Sequence, residues 1–340
     1  MAKRARTKLP KDSPPDVIDI WGARESEVPR FSSGCTVLDC VLGGGWGAGR
    51  TINLVGDSAT GKTLLATESI PNFWELFPDG DVHFAESEGA FDMSYAHNLG
   101  IDVDRIVFPE VYTVEDVVED LDKLLVKRSK PLLYIVDSLD ALTDRKTQGM
   151  DIDETGWGRT TAKASAVSQW FAKQNQALVR ANVTLMIVSQ VRSNIGVTFG
   201  DKLKRSGGKA LQFYASQVLW LAHLSQLKKT RKGVERVVGV EIRAKCKKNK
   251  LGPAHRTCDF PLMFGYGIED VKAGLDFLVA VKRTDALGMS VEEAKTLASK
   301  LGKLDDTAYE EERSSVAKAV KEVWSGIELD FKPLRRKYGE

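Results

Sequence analysis

Eight consecutive residues constrain this chain more than any others: Gly56-Asp57-Ser58-Ala59-Thr60-Gly61-Lys62-Thr63. They fit the pattern GxxxxGK[ST], follow the apolar run Thr51-Ile52-Asn53-Leu54-Val55, and precede a helix predicted over Lys62 to Ile70. A buried strand, a glycine-rich loop and a helix N-terminus in that order form a cradle for phosphates. The glycines let backbone N–H groups wrap the phosphate oxygens, Lys62 neutralises the β- and γ-phosphates, and the Thr63 hydroxyl can ligate magnesium. The letters alone would arise by chance in roughly a few chains in a hundred. A plain glycine turn is the competing reading, and the strand–loop–helix setting argues against it. ATP and Mg2+ are the expected cofactors.

Such a loop needs a parallel sheet around it, and the chain supplies one. Val82-His83-Phe84-Ala85, Leu132-Leu133-Tyr134-Ile135-Val136 and Val183 to Ser189 are apolar, β-branched runs, each separated from the next by helical sequence. From Thr113 the residues Val114, Val117, Val118, Leu121, Leu124 and Leu125 fall on one helical face. Strands alternating with helices predict an α/β fold whose mostly parallel sheet is covered on both faces. Gln217 to Ala222 and Arg236 to Cys246 are predicted as two antiparallel strands joined by the basic stretch Lys228 to Val234. Near the end, Ser290 with Glu293 and Thr307 with Glu310 have the spacing of helix capping boxes. The expected division is a Pro- and charge-rich arm over 1–30, an ATPase core over 31–270, and a small helical region over 271–340.

Composition excludes several classes. No apolar run in the sequence approaches the roughly 18 residues of a membrane helix, and no apolar stretch follows the basic start Met1 to Lys11 as a signal peptide requires. The four cysteines (Cys35, Cys40, Cys246, Cys258) lack CxxC spacing and read as reduced thiols in a cytoplasm rather than zinc ligands or disulfides. A net charge of +2 over 340 residues is too small for binding nucleic acid by bulk charge, so any such contact must come from local clusters.

Two acids extend the phosphate site. Asp137 ends the strand Leu132 to Val136, where a second acid holds the water shell of the same magnesium ion; a helix cap is its bland alternative. Glu88 follows the Val82 strand at the carboxyl edge of the sheet, from which a carboxylate can orient or deprotonate an attacking water. Glu86 competes for that role, and either acid could be a solvated loop residue.

Several further runs are similar to one family. Glu88-Gly89-Ala90-Phe91-Asp92 followed by Tyr95 resembles the RecA-family segment that carries the catalytic glutamate and the tyrosine stacked on adenine. Ser189-Gln190-Val191-Arg192-Ser193-Asn194-Ile195-Gly196-Val197-Thr198-Phe199-Gly200 resembles the family's second DNA-binding mobile loop, and Ser206-Gly207-Gly208-Lys209-Ala210-Leu211-Gln212-Phe213-Tyr214-Ala215-Ser216 the segment after it. Lys248 and Lys250 resemble the lysine pair that reaches a neighbouring subunit's ATP, and Phe264-Gly265-Tyr266-Gly267-Ile268 the pattern closing the core. The motifs span Phe31 to Ile268 in family order. The resemblance implies a RecA-like P-loop ATPase core with a mostly parallel twisted sheet, an antiparallel extension, a short N-terminal arm and a small helical C-terminal lobe.

Physical reasoning supports parts of that picture. Gln190 ends the Val183 to Ser189 run and opens a glycine-rich polar loop, so its amide could sense the γ-phosphate and pass the signal on; a sheet-edge glutamine is the alternative. Between Arg192 and Lys209, the cations Arg192, Lys202, Lys204, Arg205 and Lys209 meet only Asp201, with Gly196, Gly207 and Gly208 for close approach and Ile195, Val197 and Phe199 to wedge between bases. A solvated charged face is the competing reading. The loop Arg145 to Arg159, with Gly149, Gly156, Trp157, Gly158 and Arg159, resembles the first mobile loop, though Asp151, Asp153 and Glu154 oppose DNA there. Lys248 and Lys250 alternate along one strand face and could act across a subunit interface as arginine fingers do; a basic outer strand is the alternative.

The basic end Lys332-Pro333-Leu334-Arg335-Arg336-Lys337 and Ser189 in place of the family's usual asparagine mark a divergent member, for which a virus is one source. The expected function is ATP-dependent homologous recombination: a helical filament on single-stranded DNA, with ATP between subunits, that searches duplex DNA for homology and exchanges strands. A hexameric RecA-fold helicase or a mediator without exchange activity are the alternatives. The expected location is the cytoplasm, at a nucleoid or on viral DNA.

Overall fold

The computed structural model describes residues 28–331 except 90, 127, 146–159, 194–202 and 206–207. Its main sheet is ordered β12-β11-β10-β9-β3-β7-β6-β4-β5. The strands are β3 (Thr51–Gly56), β4 (Asp81–Glu86), β5 (Ile106–Val107), β6 (Leu132–Asp137), β7 (Val183–Ser193), β9 (Gln217–Arg231), β10 (Val234–Asn249), β11 (Thr257–Met263) and β12 (Gly267–Ile268). From β9 through β3, β7, β6 and β4 to β5 every pairing is parallel, and from β9 outward to β12 every pairing is antiparallel. A separate pair, β1 (Arg30–Phe31) with β2 (Trp46–Gly47), precedes it, and β8 (Leu203–Arg205) pairs with the end of β7. The expected α/β architecture, with its antiparallel extension, is the one found.

The strands read as continuous apolar runs because they are buried on both faces. On β6, Leu133 and Ile135 pack with Ile52, Phe84 and Val188 in one cluster, whereas Leu132, Tyr134 and Val136 pack with Val183, Leu185 and Ile187 in another. That split is the two-residue period of a strand. The first cluster is covered by α1 (Thr36–Leu42), α2 (Lys62–Leu76), α7 (Asp270–Ala280) and α9 (Asp306–Asp330), through Leu38, Leu65, Leu275 and Val320. The second is covered by α4 (Val114–Leu125) and α5 (Thr160–Arg180), through Val117, Leu121 and Phe171. Truncating a side chain as enclosed as Leu133 to alanine costs about 2–5 kcal/mol at such sites.

Local rules set most boundaries. Thr113 and Asp116 form a reciprocal capping box at the start of α4, as do Ser290 and Glu293 at α8 (Val291–Lys300). The box expected at Thr307 is absent: Asp305 is the N-cap of α9, its carboxylate accepting the Ala308 N–H at 2.9 Å, which puts Thr307 inside the first turn. Aspartate is among the best N-cap residues, and it wins the contest for the helix start. The helix after the phosphate loop runs past Ile70 to Leu76 and contains Pro71. The basic stretch Lys228 to Val234 is mostly strand rather than connector, with Lys232 and Gly233 alone turning the β9–β10 hairpin at φ 51° and 80°. Two successive positive φ values are the signature of a hairpin turn matched to strand twist.

Candidate nucleotide site at the carboxyl edge of the sheet

Parallel strands end together, and here their ends gather the chemistry. Gly56 on β3 is level with Gln190 on β7 and Leu221 on β9, and Glu86 on β4 is level with Asp137 on β6. A side chain at Gly56 would press on Thr60 Oγ1 at 2.5 Å and on the Leu221 carbonyl at 2.8 Å, so the strand can turn into its loop only with glycine there. Gly61 takes φ +76° as the N-cap of α2 and offers no capping side chain, which leaves the helix N-terminal amides facing the loop. A cleft of about 320 Å³ lies over them, lined by Ser58, Ala59, Thr60, Gly61, Lys62 and Thr63 together with Glu88, Tyr95, Asp137 and Gln190. Gly56 and Asp57 bound the loop behind it.

Lys62 is largely buried, and its ammonium donates to the Asp57 carbonyl at 2.7 Å. Burial lowers its pKa, an effect opposed by Asp137 and Glu88. The carboxyl of Asp137 is 4% exposed and pushed up to about 6, first by burial, against a stabilising hydrogen bond from Thr63. A buried acid of this kind, bonded to a hydroxyl and beside a phosphate cradle, suits a dication held partly by phosphates. Among the described residues no group of three or more His, Cys, Asp or Glu is arranged to hold a metal alone. Thr63 and Asp137 therefore fit magnesium as two ligands among several from phosphate and water.

The two competing glutamates are separated by their contacts. Both carboxylate oxygens of Glu86 accept backbone N–H groups at 2.9 Å, from Glu88 and from Gly89, so Glu86 shapes the turn. Glu88 lines the cleft; its Oε1 accepts from the Ser138 hydroxyl and, at 2.9 Å, from Gln190 Nε2. Gln190 is further fixed by its backbone N–H, which donates to Asp140 at 2.7 Å. Tyr95 sits on α3 (Met93–Asn98), whose N-cap Asp92 accepts the Tyr95 N–H at 2.9 Å.

Gln190 does not end its strand. β7 continues to Ser193 and folds onto β8 through Val191–Arg205, Arg192–Lys204 and Ser193–Leu203, because pairing with β8 prolongs it beyond the sheet. Arg192, Lys204 and Arg205 thus lie on a two-stranded stem, and α6 (Gly208–Tyr214) starts at Gly208 and Lys209. Trp157, Arg159, Ile195, Gly196, Val197, Phe199, Lys202 and Gly207 lie outside the described residues. Lys248 and Lys250 do share a direction: Lys248 donates to the carbonyls of Gln212 at 2.5 Å and Phe213 at 2.8 Å, and Lys250 to that of Phe213 at 3.2 Å. Both cap the end of α6, and neither lines the cleft of its own protomer.

A family model described as the RecA N-terminal domain matches residues 11–269. The chain belongs to the RecA family. Among RecA proteins, that of Synechococcus sp. (strain CC9605) is 33% identical over 260 residues, 76% of this chain and 67% of that protein. That of Prochlorococcus marinus (strain NATL1A) is 33% identical over 261 residues, 76% of this chain and 66% of the relative. That of Desulforapulum autotrophicum (strain ATCC 43914 / DSM 3382 / VKM B-1955 / HRM2) is 33% identical over 269 residues, 78% and 75% of the two chains. The match spans about two thirds to three quarters of these relatives. A third of residues shared over such lengths makes this a divergent RecA-family member. No helix among the described residues is long and apolar enough to cross a membrane. Sequence reasoning missed Ser138 and Asp140, which hold Glu88 and Gln190; only their place just after the strand-ending Asp137 could have pointed to them.

Proposed function

We propose that this protein is an ATP-dependent homologous recombination protein that forms filaments on single-stranded DNA and catalyses homology search and strand exchange. Family membership supports recombination chemistry with ATP and DNA. The observation that carries the finer reading is continuity: one strand, β7, bears Gln190 in the cleft and runs directly into the stem of the cation- and glycine-rich segment after Ser193.

In this reading the N-terminal amides of α2, with Lys62, bind the phosphates, and Tyr95 packs on the base. Thr63 and Asp137 would hold magnesium, which would supply charge neutralisation at the phosphates. Glu88 orients the attacking water and accepts its proton, Ser138 holding that carboxylate in place. Gln190 exchanges its bond to Glu88 for one to the γ-phosphate and so shifts β7 and the DNA-binding segment with it. Lys248 and Lys250 serve the nucleotide of the neighbouring subunit. DNA contacts come from Arg192, Lys202, Lys204, Arg205 and Lys209, and the protein works in the cytoplasm on nucleoid or viral DNA.

The test is a strand-exchange assay with ATP, a single strand and a homologous or unrelated duplex. Exchange only with the homologous duplex and ATP supports the reading. Unwinding of a forked duplex without exchange would replace it with a helicase, and ATP-dependent DNA binding without exchange with a mediator.

A further inference from the structure

Strand β6 ends just before the nucleotide cleft. It pairs with β7 from Leu132–Val183 as far as Val136–Ile187, three residues short of Gln190, whereas β3 stays level with β7 through Gly56–Gln190. On the side where β6 has ended, the turn after Asp137 takes its place. The Leu139 N–H donates to the Val188 carbonyl at 3.1 Å, and the Asp140 carboxylate accepts the Gln190 N–H at 2.7 Å. A carboxylate that accepts from a backbone N–H makes a charge-assisted bond, about twice as strong as a neutral one. Asp140 thus holds the backbone of the residue whose side-chain amide is bonded to Glu88 in the cleft.

The same turn is gripped from a helix. Lys163, in the first turn of α5, donates through Nζ to the carbonyl of Leu142 at 2.7 Å and to that of Asp140 at 3.3 Å. A cation at a helix N-terminus opposes the helix dipole, so Lys163 does not favour the helix that it helps to start. What it does instead is tie that helix to the turn. Thr143 then joins the turn to the start of α4: its carbonyl accepts the Val114 N–H at 2.9 Å, and its N–H donates to the Tyr112 carbonyl at 3.3 Å. Through these bonds residues 139–143 connect β7, α5 and α4. Two of those elements adjoin the stretches that are similar to mobile DNA-binding loops, since α5 follows 146–159 and β7 leads into 194–202.

We propose that Asp140 is a positioning residue for Gln190 and forms, with Lys163, a brace through which a displacement of β7 at Gln190 is passed to the start of α5. The inference rests on the reading of Gln190 as a sensor of the γ-phosphate, and it deepens that reading. The strand carries the displacement toward one candidate DNA-binding segment, and the brace carries it toward the other. A chain of hydrogen bonds couples two elements when both have a stake in the same residue, and here the bonds at Asp140 serve β7 through the carboxylate and α5 through the carbonyl.

The test uses the full chain with magnesium. Amide exchange over 186–193 and 160–166 is compared between ADP and a non-hydrolysable ATP analogue, and ATP turnover is measured with and without single-stranded DNA. In the original protein the analogue should slow exchange in both stretches. Lys163→Met should keep the response of β7 and lose that of α5, while Asp140→Ala should weaken the first and lose the second. Each should lower the stimulation of turnover by DNA about 2- to 30-fold. Asp140→Asn retains an acceptor for the Gln190 N–H and should stay within about 2-fold of the original stimulation. Because the two residues act in series, the double variant Asp140→Ala, Lys163→Met should fall no further than the more impaired single one, a non-additivity that separate structural damage does not produce. An α5 response that survives either single variant overturns the proposal. So does a double variant whose loss is the product of the two, or an Asp140→Asn protein as impaired as Asp140→Ala. If Asp140→Ala does not fold, Lys163→Met alone makes the same test on α5. If β7 itself does not respond to the analogue in the original protein, the sensor reading of Gln190 fails instead, and the double-variant comparison still decides the brace.

Discussion

Gln190 Nε2 donates to Glu88 Oε1 across 2.9 Å, linking residues 102 apart in sequence. The bond joins the carboxylate that lines the cleft to a strand that leaves the main sheet for the segment proposed to bind DNA. Replacing Glu88 by glutamine keeps the size of the side chain but removes the base. Glu88→Gln should retain nucleotide binding and lower kcat for ATP hydrolysis by about 10²–10⁴. Normal turnover in steady-state kinetics would transfer the role to another acid; Glu86, committed to two backbone N–H groups, should instead act on the stability of the turn.

Truncating the other partner separates sensing from hydrolysis. Gln190→Ala should leave ATP affinity and DNA-independent turnover close to their original values while removing the acceleration by single-stranded DNA. Stimulation undiminished in the same ATPase assay would show that the signal does not pass through β7.

The lysine pair has a duty in the single protomer as well as the one proposed across subunits. Lys248 and Lys250 bind the last carbonyls of α6. Lys248→Ala should raise amide exchange over 208–214, with stability falling by about 1 kcal/mol, and should lower ATP turnover only where subunits assemble on DNA. Loss of nucleotide affinity in isolated protomers, measured by titration calorimetry, would contradict a role in trans.

A partly buried acid on α2 gives the protein a pH signature away from the chemistry. Glu68 accepts the Ile268 N–H at 2.7 Å, and burial, helped by Asp270, pushes its carboxyl up to about 7. A folded-state pKa above the unfolded one means that the folded protein binds the proton more tightly. The stabilisation is complete below pH about 4.5 and is lost as pH rises through about 7. Glu68→Gln should therefore raise stability at pH 8 by on the order of 3 kcal/mol and little at pH 5, as read by urea unfolding. An equal effect at both pH values would place the cost of Glu68 elsewhere.

Local signals make much of this legible in the sequence. The phosphate loop announced itself because glycines, lysine and threonine at fixed spacing leave few alternatives, and the sheet because strands buried on both faces must be apolar throughout. What stayed hidden was decided by distant pairing. Gln190 looked like a strand end because the β8 partner that prolongs β7 begins thirteen residues later, at Leu203. Lys228 to Val234 looked like a connector because lysine and glycine are depleted in strands, a preference that cross-strand pairing overrode. Glu86 and Glu88 looked alike because the two backbone N–H groups that Glu86 accepts, which make its contacts differ from those of Glu88, are invisible in a list of side chains.

The most direct measurement is electron microscopy of the protein with single-stranded DNA, magnesium and a non-hydrolysable ATP analogue. Extended helical filaments along the DNA, which disperse when the nucleotide is withdrawn, are the expected result. Closed rings, or protomers that remain unassembled on DNA with nucleotide bound, would contradict it.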